Sequence, residues 1–263
     1  MEQERIELSL IMPCYNEQGA VRYTIPGLVK AFREAGHRLE LVAVDNGSTD
    51  STGAIIKELA ENDPWIVPHR VEVNEGYGNG VLKAISRCKA PWVGIIPADG
   101  QVDPQDVVRL YEAASSTNGK VLAKVRRRFR MDGLARKIVS TSYNLFVRLL
   151  WPRLASIDVN GSPKIIRREY LAAMDLKSKE WFLDPEMMVK AHYLGLKVLE
   201  LNVFARMRGN GLSHVRSSAC WEFFCNLLIF RFSGCFRWDR DKARAYARQQ
   251  ELSGRNTSPV AES

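Results

Sequence analysis

Cysteine is scarce in this chain. Its five residues, Cys14, Cys88, Cys220, Cys225 and Cys235, are scattered, odd in number and without a Cys-x-x-Cys pair. Such a set excludes the stapled framework of a small secreted domain and reads as reduced thiols in a cytosolic protein. His214 precedes the last three at spacings that do not suit zinc. Long apolar runs are missing too. The best candidates, residues 138–151 and 223–236, are interrupted by Arg148 and Arg231 and fall short of the ~20 residues that a membrane span needs. The first residues, Met1-Glu2-Gln3-Glu4-Arg5, are charged and lead directly into a strand-like run, so no signal peptide is expected. There is no internal repeat and no low-complexity tract. Negative charge is also in deficit: the net charge is +8, which points to anionic partners such as nucleotides, phosphates or an anionic membrane face. No recognition helix, zinc finger or aromatic stacking motif accompanies the basic run Lys124 to Arg130, so a nucleic-acid partner is not expected.

What is present is enough for a large core: 263 residues, 46% of them hydrophobic. The first half alternates strand and helix signals. Strands are expected at Leu8–Met12, Leu39–Val44, His69–Val73 and Trp92–Ile96. Helices are expected at Gln18–Ala35, with Pro26 marking an interruption, from a cap at Asp50 or Ser51 to Asn62, at Gly80–Cys88 and at Pro104–Ser115. This alternation implies a doubly wound, mostly parallel α/β sheet with helices on both faces. The second half holds the basic run, read as an acceptor-side patch or a solvated face. Then come an amphipathic helix over Leu134–Leu150, a helix around Ser178–Tyr193, a strand at Lys197–Phe204 and an apolar helix at Trp221–Arg231. The expected division is a catalytic domain over 1–215, a helical extension over 216–250 and a disordered tail over 251–263.

In such sheets ligands bind at the carboxyl ends of the strands. Four consecutive strand ends carry polar, turn-forming residues: Tyr15-Asn16-Glu17, Asp45-Asn46-Gly47-Ser48, Asn74-Glu75-Gly76 and Asp99-Gly100-Gln101. Each has a plain reading as well. Asp45 suits a nucleobase or ribose, or simply caps its own turn. Glu17 suits ribose hydroxyls, or is an acid favoured by a helix N-terminus. Gly76 and Gly78 allow close approach of a sugar nucleotide, or form an ordinary turn. The glycine run is no dinucleotide fingerprint, because it follows the third strand.

In order and spacing, Ser9-Leu10-Ile11-Met12-Pro13-Cys14-Tyr15-Asn16-Glu17, Val44-Asp45-Asn46-Gly47-Ser48, Asn74-x-Gly76-Tyr77-Gly78 and Ala98-Asp99-Gly100-Gln101 resemble the family-2 glycosyltransferases, which have the GT-A (nucleotide-diphospho-sugar transferase) fold. Arg208-x-x-Gly211-x-Ser213, with Arg136 and Asn144, is similar to the dolichyl- and polyprenyl-phosphate mannosyltransferase branch. The resemblance implies a donor site of Pro13, Tyr15, Glu17, Asp45, Gly76, Asp99 and Arg208, for a GDP- or UDP-sugar. It implies a divalent cofactor, Mg²⁺ or Mn²⁺, on Asp99 and Gln101. The catalytic set is Asp99, Arg208 as diphosphate clamp, and Asp184 and Glu186, either of which serves as a base or holds the acceptor loop. The acceptor set is Arg126, Arg127, Arg128, Arg136 and Ser213.

The chain departs from the family's Asp-x-Asp-x-Gln pattern at Pro97, which stands where the first aspartate is usual. Mg²⁺ commonly takes one or two carboxylates plus substrate phosphates and waters, so a pared-down site is expected. Asp103 reads as a helix start rather than a replacement ligand. The implied reaction is inverting transfer from a nucleoside-diphosphate sugar to a polyprenyl phosphate, by an enzyme peripheral on the cytoplasmic face of a membrane. The alternatives are a transferase acting on a saccharide or lipid hydroxyl and an inactive GT-A scaffold. The helices from Leu134 and Trp221 fit a membrane surface, ordinary core or a homodimer contact.

Overall fold

The computed structural model describes residues 5–129, 142, 144–152, 154, 156, 158–204, 217–232, 241, 243, 245–246 and 249; the side chains of 127–129 and 217–223 are outside that description. Strands β1 (Leu8–Cys14), β2 (Leu39–Asn46), β3 (Ile66–Val71) and β4 (Trp92–Ile95) alternate with helices α1 (Gln18–Glu34), α2 (Thr52–Asn62), α3 (Tyr77–Ile85) and α4 (Pro104–Ser115). The chain continues with β5 (Val121–Phe129), α5 (144–150), β6 (Lys164–Arg167), α6 (Arg168–Met174), α7 (Leu183–Leu194), β7 (Lys197–Phe204) and α8 (Ser217–Phe232). The sheet has seven strands in the order β3-β2-β1-β4-β6-β5-β7. Only β6 runs against its neighbours β4 and β5, as the mostly parallel expectation allows.

The central strands are buried on both faces, so they read as continuous apolar runs rather than alternating ones. Strand parity divides the core in two. Leu8, Leu10, Met12, Leu41, Ala43, Ala123 and Ile165 pack with α1, α2 and α4. Ile11, Val42, Val44, Val93, Ile95, Leu122 and Ile166 pack with α3, α6 and α7. Helix α8 adds Leu227 to this second core, and Phe230 packs against Phe182 and Trp151 with ring centroids 5.4 and 6.1 Å away.

Several local expectations need correction. Helix α1 runs through Pro26 without a break, because Ile25, Leu28, Val29 and Phe32 bury its apolar stripe on the sheet. Asp50, not Ser51, serves the first turn of α2: its Oδ1 accepts from the Thr52 N–H at 2.9 Å. Helix α3 starts three residues before the expected Gly80, and α7 starts at Leu183 rather than Ser178. The basic run is no loose patch. Its first part is β5, where Val121 to Val125 are buried, Lys124 included. Strand β6 and helix α6 had no expected counterpart. The expected helix at Leu134–Leu150 is seen over 144–150, its earlier part lying outside the described residues, as do most of the tail residues.

Candidate active site

The carboxyl ends of β1 and β2 are laced together by side chains. Asn16 adopts the left-handed conformation that asparagine tolerates, φ 54°. Its Oδ1 accepts from the Thr49 N–H at 2.9 Å, and its N–H donates to Ser48 Oγ at 3.1 Å. The Glu17 N–H donates to Thr52 Oγ1 at 2.9 Å. Glu17 is the N-cap of α1 and its side chain makes no capping bond; the helix dipole favours an acid at this position. Tyr15 and Pro13 line the same edge, half-buried.

Asp45 ends β2 and is buried. One carboxylate oxygen accepts from the Ser48 N–H at 2.9 Å, and the other is paired with Arg70 of β3. The turn-capping role is therefore real, and Arg70 is an added cation beside it. The Asp45 charge, first among the causes, pushes the Arg70 guanidinium pKa up.

The glycines after β3 have a packing reason. Gly76 has φ 107°, and a Cβ there would lie 2.5 Å from Lys179 O and from Glu180 Cδ. A Cβ on Gly78 would strike Ser178 O. The Asn79 N–H donates to Lys179 O at 2.7 Å. The space that these glycines leave is filled by the segment before α7, and Lys179 is also ion-paired with Glu75. Next to it, the rings of Tyr77 and Trp181 stack at 5.0 Å and 4°.

Asp184 and Glu186, each expected as a base or as a holder of the acceptor loop, have different surroundings. Glu186 is fully buried. It accepts from the N–H groups of Lys177 and Ser178 (2.8 Å for Ser178) and from Lys190 Nζ at 2.6 Å. These bonds hold the segment before α7 in place. Asp184, in the first turn of α7, is paired instead with Lys164 Nζ at 2.5 Å.

Asp99 follows β4. Its Oδ1 accepts from the Gln101 N–H at 3.1 Å in a tight turn, with Gly100 at φ 66°. Asp103 caps α4 by accepting from the Gln105 N–H at 3.0 Å, as a helix start should. Burial, and then the charges of Asp184 and Asp99, push the Tyr77 hydroxyl pKa well up, so Tyr77 stays a neutral O–H. Among the described residues no group of three His, Cys, Asp or Glu could hold a metal. The donor set of Asp99 carboxylate and Gln101 amide is nonetheless all hard oxygen, which suits Mg²⁺ or Mn²⁺ completed by phosphate oxygens and waters. The residues present fit such an ion.

Two fully buried lysines lie beneath this edge. Lys124 of β5 and Lys164 of β6 are register partners. Lys124 Nζ bonds Glu200 Oε1 at 3.3 Å, Ser156 Oγ at 3.4 Å and the Asp158 carbonyl. Burial, and then the Lys164 charge, lower its pKa to about 8. Neither lysine, nor Tyr77, was singled out from the sequence. The available signal was a lysine inside each of two apolar strand patterns. Asn144 accepts from the Val159 N–H at 3.2 Å, which ties α5 to the loop before β6. Arg126 is half-buried on β5. Arg136, Arg208 and Ser213 lie outside the described residues, as do the side chains of Arg127 and Arg128.

The order of motifs along this edge is matched by a family model, glycosyl transferase family 2, over residues 9–174. The chain belongs to glycosyl transferase family 2. A family-2 relative, the undecaprenyl-phosphate 4-deoxy-4-formamido-L-arabinose transferase of Pectobacterium atrosepticum, is 27% identical over 208 residues, covering 78% of this chain and 62% of the relative. The chain thus spans less than two thirds of that protein. Glycosyltransferase AglD of Haloferax volcanii is 26% identical over 214 residues, 78% of this chain and 34% of the relative. An uncharacterized glycosyltransferase of Mycobacterium tuberculosis is 30% identical over 216 residues, 80% of this chain and 90% of the relative. Among solved structures, glucosyl-3-phosphoglycerate synthase from Mycobacterium tuberculosis, in complex with Mg²⁺ and UDP, superposes with a TM-score of 0.70 at 18% identity. It covers 86% of this chain and 79% of that one. That likeness is one of fold, and the fold is GT-A.

Proposed function

We propose that this family-2 chain transfers a sugar from a nucleoside-diphosphate sugar to a polyprenyl phosphate, inverting the anomeric centre, on the cytoplasmic face of a membrane. The observation that carries the reading concerns two carboxylates: Asp99 in the turn after β4, and Asp184 at the start of α7, ion-paired to the buried Lys164. The first carboxylate belongs to the donor end. The second has its charge balanced by a lysine. A phosphate monoester, with a second pKa of about 6, is already largely ionised at neutral pH and needs little help from a base. A hydroxyl acceptor would need a base to take its proton.

A phosphate oxygen of the acceptor attacks the anomeric carbon, that carbon's bond to the diphosphate oxygen breaks, and the nucleoside diphosphate leaves with the electron pair. Glu17, Asp45 and Tyr15 line the nucleoside end, with Pro13 beside them. Asp99 and Gln101 would hold the divalent metal, which when bound neutralises charge on the leaving diphosphate. Arg208 would clamp the diphosphate. Arg126, with Arg127, Arg128, Arg136 and Ser213, would meet the acceptor phosphate. Two of the relatives support the lipid carrier by their printed name. Exposed Leu145 and Leu149 on α5, and Leu228, Ile229 and Phe232 on α8, lie beside exposed Arg148 and Arg231 and support a surface that rests on lipid. Among the described residues no helix is long and apolar enough to cross a membrane.

The test is a thermal-shift panel with GDP, UDP and their sugar conjugates, with Mg²⁺, Mn²⁺ or chelator, followed by transfer to a short polyprenyl phosphate in detergent. A nucleotide at 100 times its Kd stabilises the fold by about 2.7 kcal/mol. The expected result is a metal-dependent shift with one nucleotide, lost in Asp99→Ala, and label transferred to the phosphate lipid but not to a neutral glycolipid. Transfer to the glycolipid instead would favour a hydroxyl acceptor. No shift with any nucleotide would favour the inactive scaffold, for which Pro97 is the supporting departure.

A further inference from the structure

We propose that Lys164 is a positioning residue for transfer. From β6 it holds Asp184 at the start of α7, and it balances the charge on the acceptor side. The inference rests on the functional reading above and concerns a residue outside the family motifs of this sequence.

Its basis is the location of the charge. Lys164 is fully buried, is the register partner of Ile95 on β4 and of Lys124 on β5, and is followed by the apolar Ile165 and Ile166. Its Nζ lies 2.5 Å from Asp184 Oδ1, and the Asp184 side chain is itself only 13% exposed. A contact needed only to dock α7 on the sheet is better made by apolar groups, since replacing a buried ion pair by packed hydrophobic residues is often neutral or stabilising. Here the cost is raised further, because a second lysine stands in register and the two ammonium groups repel. Lys124 cannot serve in place of Lys164, being engaged by Glu200, Ser156 and the Asp158 carbonyl. The arrangement has a chemical use. An anionic acceptor entering beside an unbalanced Asp184 would be repelled, whereas beside a Lys164–Asp184 pair it meets no net charge. The pair also fixes the direction of the carboxylate.

The experiment compares wild type with Lys164→Met, Lys164→Arg, Asp184→Asn and the double variant Lys164→Met/Asp184→Asn, measuring urea stability, donor KM, acceptor KM and kcat. Misplacing a reacting group by about 1 Å can cost roughly 100-fold, and a loss of that order in kcat over acceptor KM is expected for Lys164→Met, with donor KM unchanged. Lys164→Arg should recover much of that loss. The double variant, which leaves no orphan charge and repels no anion, should fold as stably as wild type with acceptor KM near the wild-type value, and should still lose kcat because the carboxylate that Lys164 aims is gone. This keeps the test open if Lys164→Met alone does not fold. A double variant that regains transfer together with stability would overturn the inference and reduce Lys164 to a clamp. A loss in Lys164→Met confined to donor KM would overturn it as well. A wild-type chain that binds nucleotide yet transfers to no acceptor would overturn the functional reading and this inference together, whereas an active wild type beside an active double variant overturns the inference alone.

Discussion

Glu186→Ala separates a carboxylate that builds the site from one that works in it. In the folded chain Glu186 is fully buried and receives the backbone N–H groups of Lys177 and Ser178 together with Lys190 Nζ. Lys190, almost as deeply buried, has as its other named partner the Asp175 carbonyl at 2.9 Å. Removing the carboxylate therefore leaves a buried ammonium unbalanced and two N–H groups without their acceptor. Breaking a buried pair from one side costs about 3–5 kcal/mol. The N–H losses overlap with that figure rather than adding to it. For a chain of this size each kcal/mol moves Tm by about 2–4 °C, so a fall of roughly 6–20 °C is expected.

The variant also has a pH signature. Burial already lowers the Lys190 pKa, and Glu186 opposes this most, ahead of Asp175; without Glu186 the value falls further. The unfolded chain then binds more protons than the folded one up to the ordinary lysine range near pH ~10.4, so the deficit shrinks as pH rises toward it. Urea melts at pH 7 and pH 9.5 read both effects. Glu186→Gln/Lys190→Met, which removes both charges and keeps an acceptor oxygen, should lie within about 2 kcal/mol of wild type. An alanine variant as stable as wild type but without transfer activity would refute the reasoning and keep Glu186 in the catalytic set.

Gly78→Ala would drive a Cβ into the Ser178 carbonyl; an overpacking cost of about 1–3 kcal/mol and a weakened Tyr77–Trp181 stack should appear in urea melts and tryptophan fluorescence. The Lys124 ammonium, held at a pKa of about 8 by burial, contributes a cost that is relieved as pH rises from about 8 through the unfolded value near ~10.4. The stability difference between wild type and Lys124→Met should therefore grow in favour of wild type over that window, and a flat difference would contradict the burial. Arg70→Met leaves the buried Asp45 carboxylate without its cation and should lower nucleotide affinity about 10-fold or more by calorimetry, the loss of roughly 1.4 kcal/mol or more; unchanged affinity would place Asp45 outside the donor site.

Much of the polar edge at the ends of β1 and β2 was legible from the sequence. Leu8 to Met12 and Leu39 to Val44 are apolar runs ending in polar turns, and a parallel sheet brings such ends to one edge whatever the details of packing. Asp103 could be read as a cap from its Pro104 neighbour, and the structure agrees. The acceptor end was not legible in the same way. Strand β5 was hidden because its outer half is cationic, and a lysine such as Lys124 reads as exposed until a carboxylate and a carbonyl from distant segments are seen to meet it. Asp184 and Glu186, two residues apart, are alike in sequence; only the fold turns one toward Lys164 and the other into the backbone of Lys177 and Ser178. Gly76 and Gly78 announce a close approach, but that the approaching group is Ser178–Glu180 depends on a contact across about a hundred residues of chain. Local pattern, by itself, determined the α/β alternation, the polar strand ends and the family. Tertiary structure decided which charges are buried together and what surrounds each carboxylate, because the free energy of a charge depends on the partners and solvent around it, and those come from segments far apart in the chain.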